Sequence, residues 1–388
     1  MTQEAAKKAT IVGIGSTPYY FRGESLPQTL YELIGKAVIA AAADAGLAVT
    51  DIDGMASYAY GFEPGLITEM LGIPELNFAS TISAQGGGSA GVLDLAAMAI
   101  ETGRAKTVLC LGACQQAKVR YGVTFTNMSV TPDSVWSHAA GLAGPGQTMA
   151  MLARRHMHLY GTRREAFGEV VIASRASALT REGAIRRMPL TMDEYMAAPM
   201  QADPLCRLDF CLETDGALAF IVTSAERARD LKQRPVYIAA SAHGGERNWG
   251  RSFFWMNMPD TDFAASGSAH TARRLYRMAG ISPQEIDVAL LYDHFSPLVV
   301  MQLEDYGFCP RGEGGPFVES GAIRLNGSIP VNPHGGHLSE AYVIGMTHIR
   351  EAVEQLRGQA VNQICGAQYA LVSGGPAPIP VSGAILRN

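Results

Sequence analysis

The stretch Asn332-Pro-His-Gly-Gly-His-Leu-Ser-Glu-Ala-Tyr342-Val-Ile-Gly345 decides how this chain is read. Two adjacent glycines let backbone approach backbone or a ligand closely. The pattern predicts a turn running straight into a helix, whose free N–H groups point back at whatever occupies the turn. His334, His337, Glu340 and Tyr342 crowd into it, a dense polar set for a chain that is 47% hydrophobic and 17% charged. Most Gly-Gly turns are only turns. This one has a counterpart, because a second polar cluster, Tyr292-Asp293-His294, ends an apolar strand.

Working outward, the chain repeats itself. Ala45-Gly46, then Asp51-Ile52-Asp53, then Tyr58 has an equally spaced partner in Ala279-Gly280, Glu285-Ile286-Asp287 and Tyr292. A long helix precedes each, the first predicted over Leu30 to Ala45. The glycine-rich turn and helix at Ser83-Ala-Gln-Gly-Gly-Gly88 answers the one at Asn332, and strand Val108 to Gly112 answers Ala370 to Gly374. The helix from Ser89 to Glu101 is apolar nearly all round, so it is expected to be buried on most faces. Alternating helices and strands predict a layered α/β protein. Its two similar halves are expected at residues 1–230 and 235–388, with a ligand site where their turn-to-helix elements converge. Residues from about 115 to 209 break the pattern with arginine pairs, methionines and prolines, and read as an insertion that covers the core and meets a ligand or partner.

Bulk properties exclude several classes. The net charge of −5, with no long basic run, argues against nucleic-acid binding. No apolar stretch has the length of a membrane span and Met1-Thr2-Gln3-Glu4 opens no signal peptide, so a cytoplasmic protein is expected. Cys110, Cys114, Cys206, Cys211, Cys309 and Cys365 mostly lie in apolar segments and read as buried free thiols. Neither close cysteine pair has zinc-knuckle spacing, and His334-x-x-His337 lacks an evident third ligand, so no metal is expected. His156-Met-His158 reads as the surface of a basic helix, and Tyr58 as structural.

On these motifs the chain resembles the thiolase superfamily over nearly its whole length, in particular the sterol-carrier-protein-type thiolases. Asn332-Pro333-His334-Gly335-Gly336 matches that family's Asn-Pro-x-Gly-Gly turn. Tyr342 holds the place of the catalytic histidine, and Tyr292-Asp293-His294-Phe295 replaces His-Asp-x-Phe. Ser83 or a close neighbour stands where the nucleophilic cysteine belongs, and Leu371-Val-Ser-Gly-Gly375 replaces Cys-x-Gly-Gly. Thiolase chemistry needs a thiolate. The double tyrosine replacement, with Glu304-Asp-Tyr-Gly-Phe308 and Gly312-Glu-Gly-Gly315, is similar to the thiolase-like aldolases of bacterial steroid side-chain degradation, once called lipid-transfer proteins.

That resemblance implies a thiolase fold, two βαβαβαββ halves in five αβαβα layers. It implies retro-aldol cleavage of a 17-hydroxy steroid acyl-CoA to a 17-keto steroid and propionyl-CoA. It implies no cofactor, since CoA belongs to the substrate. It also implies a homodimer core and a small zinc-ribbon/OB-fold partner, often fused to a hydratase. A retro-aldol on a β-hydroxyacyl-CoA needs a base for the hydroxyl, oxyanion donors for the thioester enolate and an acid for the enolate carbon. Tyr292 is assigned to the alcohol and Tyr342 to the enolate side, or the reverse, with His294 and His337 beside them and Asp293 orienting. Backbone N–H groups around Ser83 to Gly86 and near Gly374 and Gly375, with the Asn332 side chain, are the expected oxyanion donors. Acyl transfer from a non-cysteine nucleophile and a non-catalytic lipid or acyl-CoA binding subunit are the alternatives.

Overall fold

A computed structural model gives the structure of the chain and describes residues 8–58, 61–82, 87–116, 120, 135–142, 144–245, 264–375 and 380–388. The first half supplies β1 (Ala9–Ser16), α1 (Leu30–Ala45), β2 (Gly54–Tyr58), β3 (Phe78–Ile82), α2 (Gly91–Glu101) and β4 (Thr107–Cys114). Then come α3 (Pro145–Tyr160) and α4 (Arg164–Ala178) of the insertion, and β5 (Thr214–Ser224). The second half supplies β6 (Val236–Gly244), α5 (Ala269–Ala279), β7 (Val288–Leu290), α6 (Ser296–Asp305), α7 (Met346–Arg357), β8 (Tyr369–Ser373) and β9 (Val381–Arg387).

The strands run in the order β7-β8-β9-β6-β1-β5-β4-β2-β3. Within it, β3, β2 and β4 are mutually parallel, as are β7 and β8, and the remaining neighbours are antiparallel. Among the described residues, strands of the two halves pair where Thr10 and Ile11 of β1 meet Tyr237 and Val236 of β6. Helix α1 packs outside the first-half strands and α5 outside the second-half strands, while α2 and α7 each contact strands of both halves. The result is α-β-α-β-α layering. Three apolar clusters fill the spaces: Leu33, Ile34 and Val38 with Leu109 under α1; Val92, Leu93 and Ile100 with Ile349 and Val353 between the halves; and Phe167, Leu298 and Val299 under the insertion. Burying each such side chain contributes roughly 1.5–3 kcal/mol. The all-round apolar character of α2 thus follows from its central place.

The duplication is visible in detail. Helix α1 ends at Gly46 (φ 75°), followed by a 3₁₀ turn at Val49–Asp51 and β2; α5 ends at Gly280 (φ 69°), followed by a 3₁₀ turn at Pro283–Glu285 and β7. The Asp53 carboxylate accepts the N–H groups of Lys106 and Thr107, at the start of β4. The Asp287 carboxylate accepts those of Gln368 and Tyr369, at the start of β8. One aspartate does the same work in each half, tying a strand's entry to its parallel neighbour.

Two expectations are corrected. The segment after Asn332 does not run straight into a helix. It makes a single helical turn at Gly336–Ser339, opens into a loop through Ile344 (φ 43°) and Gly345 (φ 87°), and only then starts α7. Left-handed backbone at two successive residues cannot continue a right-handed helix. His156 is not on the surface: it is fully buried, with Nδ1 2.8 Å from Thr162 Oγ1 and Nε2 3.0 Å from Glu304 Oε1, linking the insertion to α6. The cysteines are free, and Cys110, Cys114, Cys206 and Cys309 are buried. Among the described residues no helix is long and apolar enough to cross a membrane.

Candidate active site

The site is built on the end of β7. Asn332, itself at φ 47°, accepts Leu291 N–H at its Oδ1 and donates from Nδ2 to Leu291 O, a two-bond clamp that straightens the exit from the strand. One of its two Nδ2 hydrogens is thereby committed to backbone. Tyr292 N–H donates to Ser373 Oγ, Ser373 in turn donates to Gln302 Oε1, and Gln302 Nε2 donates to Tyr292 O. The Tyr292 backbone is thus fixed from β8 and α6 together.

Asp293 is buried beneath the glycine turn. Its carboxylate accepts the N–H groups of His337 and Leu338 at 2.9 and 3.2 Å, capping the short helical turn. Gly336 must be glycine, since a Cβ there would stand 2.1 Å from Asp293 Oδ2 at φ +58°. His348, which the sequence reading passed over, lies 3.2 Å by Nε2 from Asp293 Oδ1 and 2.9 Å from Leu291 O. Asp293, His337 and His348 each bring one ligand-type atom within 4.8 Å of the others. That donor set fits a metal poorly, because His348 Nε2 must carry a proton to serve Leu291 O and the carboxylate already accepts two amides.

The loop Glu340 to Gly345 delivers Tyr342. Arg181 of the insertion donates to Glu340 Oε1 at 2.7 Å and to Glu351 Oε2 of α7 at 3.0 Å, all three buried. Thr214 holds the Tyr342 backbone at both ends: its Oγ1 donates to Tyr342 O and accepts Tyr342 N–H. Thus held, the Tyr342 hydroxyl meets the Tyr292 hydroxyl at 3.0 Å. The His337 ring packs 4.5 Å from that of Tyr292 and 5.1 Å from that of Tyr342, with Nδ1 3.4 Å from Asp293 Oδ1. Neither His337 ring nitrogen has a hydrogen-bond partner among the described residues. Burial, reinforced by His348, His334 and His294, holds the His337 imidazole well below its usual range, and burial pushes His294 down to about 3. Both are neutral at pH 7. The His294 ring flanks Tyr292 at 5.1 Å, edge to face.

The five residues assigned to proton transfer or its orientation, Tyr292, Asp293, His294, His337 and Tyr342, therefore converge. Of the expected oxyanion donors, Gly374 N–H is already given to Ser382 O at 2.7 Å, Gly375 follows it at the end of β8, and Ser83 and Gly86 lie outside the described residues. Burial pushes the thiols of Cys114 and Cys211 up, so neither is a thiolate at neutral pH, although Cys114 Sγ lies 3.4 Å from Tyr342 O. A pair of bonded phenols among neutral imidazoles, over a buried carboxylate, can pass a proton but offers no nucleophile for acyl transfer.

The thiolase C-terminal domain-like family model matches residues 246–380. The 17-hydroxy-3-oxo-4-pregnene-20-carboxyl-CoA lyase of Mycobacterium tuberculosis is 39% identical, over 98% of this chain and 99% of its own length. A steroid side-chain-cleaving aldolase of Thermomonospora curvata is 38% identical, covering 97% of both chains. A solved structure, the Ltp2-ChsH2(DUF35) aldolase, superimposes with a TM-score of 0.91 at 36% identity over 99% of each chain. Human mitochondrial 3-ketoacyl-CoA thiolase shares the fold alone, with a TM-score of 0.69 at 16% identity.

Proposed function

The chain belongs to the thiolase-like, steroid side-chain-cleaving aldolases, and from that premise we propose that it is a lyase cleaving a 17-hydroxy steroid acyl-CoA into a 17-keto steroid and propionyl-CoA. The observation that carries the reading at the level of chemistry is the 3.0 Å bond between the Tyr292 and Tyr342 hydroxyls. A retro-aldol moves one proton from the substrate hydroxyl to the carbon α to the thioester. An isolated phenol, with pKa about 10, is a poor base at pH 7. Two bonded phenols need not ionise. Tyr292 accepts the hydroxyl proton as it hands its own to Tyr342, and Tyr342 gives its proton to the enolate carbon. Electrons of the breaking carbon–carbon bond flow into the thioester as the C17–O bond becomes a ketone, and the pair regains its starting protonation.

His337 and His294 pack on Tyr292 as neutral rings and keep water from competing for the relayed proton. Asp293 fixes the turn that carries His337. The working form in this proposal is a homodimer core bound to a small zinc-ribbon/OB-fold partner; the name of the solved Ltp2-ChsH2(DUF35) relative supports a partner subunit.

The test is to co-express the chain with such a partner and analyse products from a 17-hydroxy steroid acyl-CoA by mass spectrometry in D2O. Propionyl-CoA carrying one deuterium at its α-carbon, with a 17-ketone, is the expected result. A well-folded complex that cleaves nothing sinks the aldolase reading and turns attention to acyl transfer.

A further inference from the structure

Ser89 stands one residue before the Ala90 N-cap of α2, an eleven-residue helix. It is fully buried, and its Oγ has no hydrogen-bond partner among the described residues. A buried hydroxyl without a partner is costly to folding, and such groups recur where chemistry needs a donor. Its location relative to the phenol pair is fixed by Gly345. A Cβ on Gly345 would stand 2.6 Å from Ser89 Oγ and 2.7 Å from Tyr292 Cε2, so the hydroxyl and the edge of the Tyr292 ring flank the same point of backbone. Cε2 is the carbon next to the one bearing the phenol oxygen. The free hydroxyl therefore belongs to the same small space as the proton relay, beside the positive end of a helix dipole.

Resting on the aldolase reading, we propose that Ser89 is a catalytic hydrogen-bond donor, whose Oγ–H bonds the thioester oxygen as it gains negative charge. The chemistry needs such a donor within a few ångströms of the acid that protonates the enolate carbon, because oxygen and carbon belong to one enolate. Gly374 does not serve, its single N–H being given to Ser382 O. The hydroxyl has no bond to break in the ground state, so its contribution appears as charge develops, which raises kcat rather than lowering KM.

The inference separates function from stability in a way a structural serine would not. In the complex with its partner, Ser89→Ala is expected to lower kcat by about 10²-fold with KM nearly unchanged. Its Tm should equal or exceed that of the wild type, since an unsatisfied buried hydroxyl has been removed. Ser89→Cys, which fills the same space with a weak donor, should give an intermediate kcat. A kcat within threefold of wild type in Ser89→Ala overturns the proposal, as does loss of activity with a Tm fall beyond about 5 °C, the sign of a structural role. Wild-type protein that cleaves no substrate would instead be the failure of the aldolase reading, recorded before either variant is made.

Discussion

The two halves each set a glycine against a matching tyrosine and use the pair differently. In the first, Tyr58 ends β2 and Gly88 precedes α2, where a Cβ would meet the Tyr58 ring at 3.1 Å and Ile82 at 2.5 Å. In the second, Tyr292 follows β7 and Gly345 precedes α7, where a Cβ would meet Tyr292 at 2.7 Å and Ser89 at 2.6 Å. Around Tyr58 the packing includes Ile82 and Ala90. Around Tyr292 it is His294, His337, His348 and Tyr342. The scaffold is common to both halves, and the polar chemistry was installed in one by opening the approach to α7 into a loop that holds a second phenol. If that contrast is real, equivalent substitutions must have unequal effects where chemistry differs and equal effects where only the scaffold is touched.

The largest inequality should be at the tyrosines. Tyr292→Phe and Tyr342→Phe each remove one member of the relay and should lower kcat by about 10³-fold or more, within the range for lost acid–base groups. Tyr58→Phe should leave kcat within about threefold, a margin too small to signal a lost acid–base group. Steady-state kinetics on the three purified complexes decide the matter, and comparable losses at Tyr58 and Tyr292 would break the comparison.

The glycines come next. Gly345→Ala meets both a left-handed φ and filled space, and should destabilise by about 3 kcal/mol or more, with loss of activity because Ser89 or Tyr292 has to move. Gly88 faces the packing problem without a left-handed φ, so Gly88→Ala should cost about 1–3 kcal/mol. Chemical denaturation measures both. The aspartates sharpen the other side of the argument. Asp53→Ala and Asp287→Ala each strip an acceptor from two strand-entry amides, and should each cost about 2 kcal/mol, alike within about 0.5 kcal/mol. Unequal losses would mean that the halves are not built alike.

This division also explains what could be read in advance. The repeat was legible because glycine caps, the Ile-Asp pairs and buried strands leave a periodic trace that survives duplication. Tyr292 and Tyr342 were legible as polar residues at the ends of an apolar strand and a glycine turn. Other features left no such trace. The loop before α7 turns on Ile344 adopting φ 43°, which no propensity would assign to a β-branched residue. His348 and Ser89 lie in helix-like sequence, and their surroundings come from residues distant in the chain, Asp293 and Leu291 for His348 and Gly345 for Ser89. His156 sits in a polar run whose partner, Glu304, is far away in the chain. Tertiary pairing is the information that one-dimensional patterns lack.

The smallest effect distinguishes the polar half by its response to acid. His337 is held neutral in the folded state, with a pKa well below its unfolded value of about 6.5. The unfolded chain therefore binds a proton that the folded chain refuses once the pH drops below that value. The stabilising contribution is complete above pH 6.5 and is lost progressively as the pH falls toward the folded pKa, at about 1.4 kcal/mol per pH unit for a single such group. His334, also buried and depressed, adds in the same sense. Glu351, which burial pushes up to about 7 against the opposing pull of Arg181, acts in the reverse sense, favouring the fold below pH 4.5 and losing that advantage as the pH rises through 7. Wild-type slopes mix these groups, but a difference between variants does not. Urea denaturation of His337→Asn between pH 6.5 and 5.5 should show a dependence shallower than wild type by about one proton. Identical slopes for His337→Asn and wild type would show that the imidazole against the tyrosine pair is already free to take up a proton, and the neutral polar pocket that distinguishes this half would have to be redrawn.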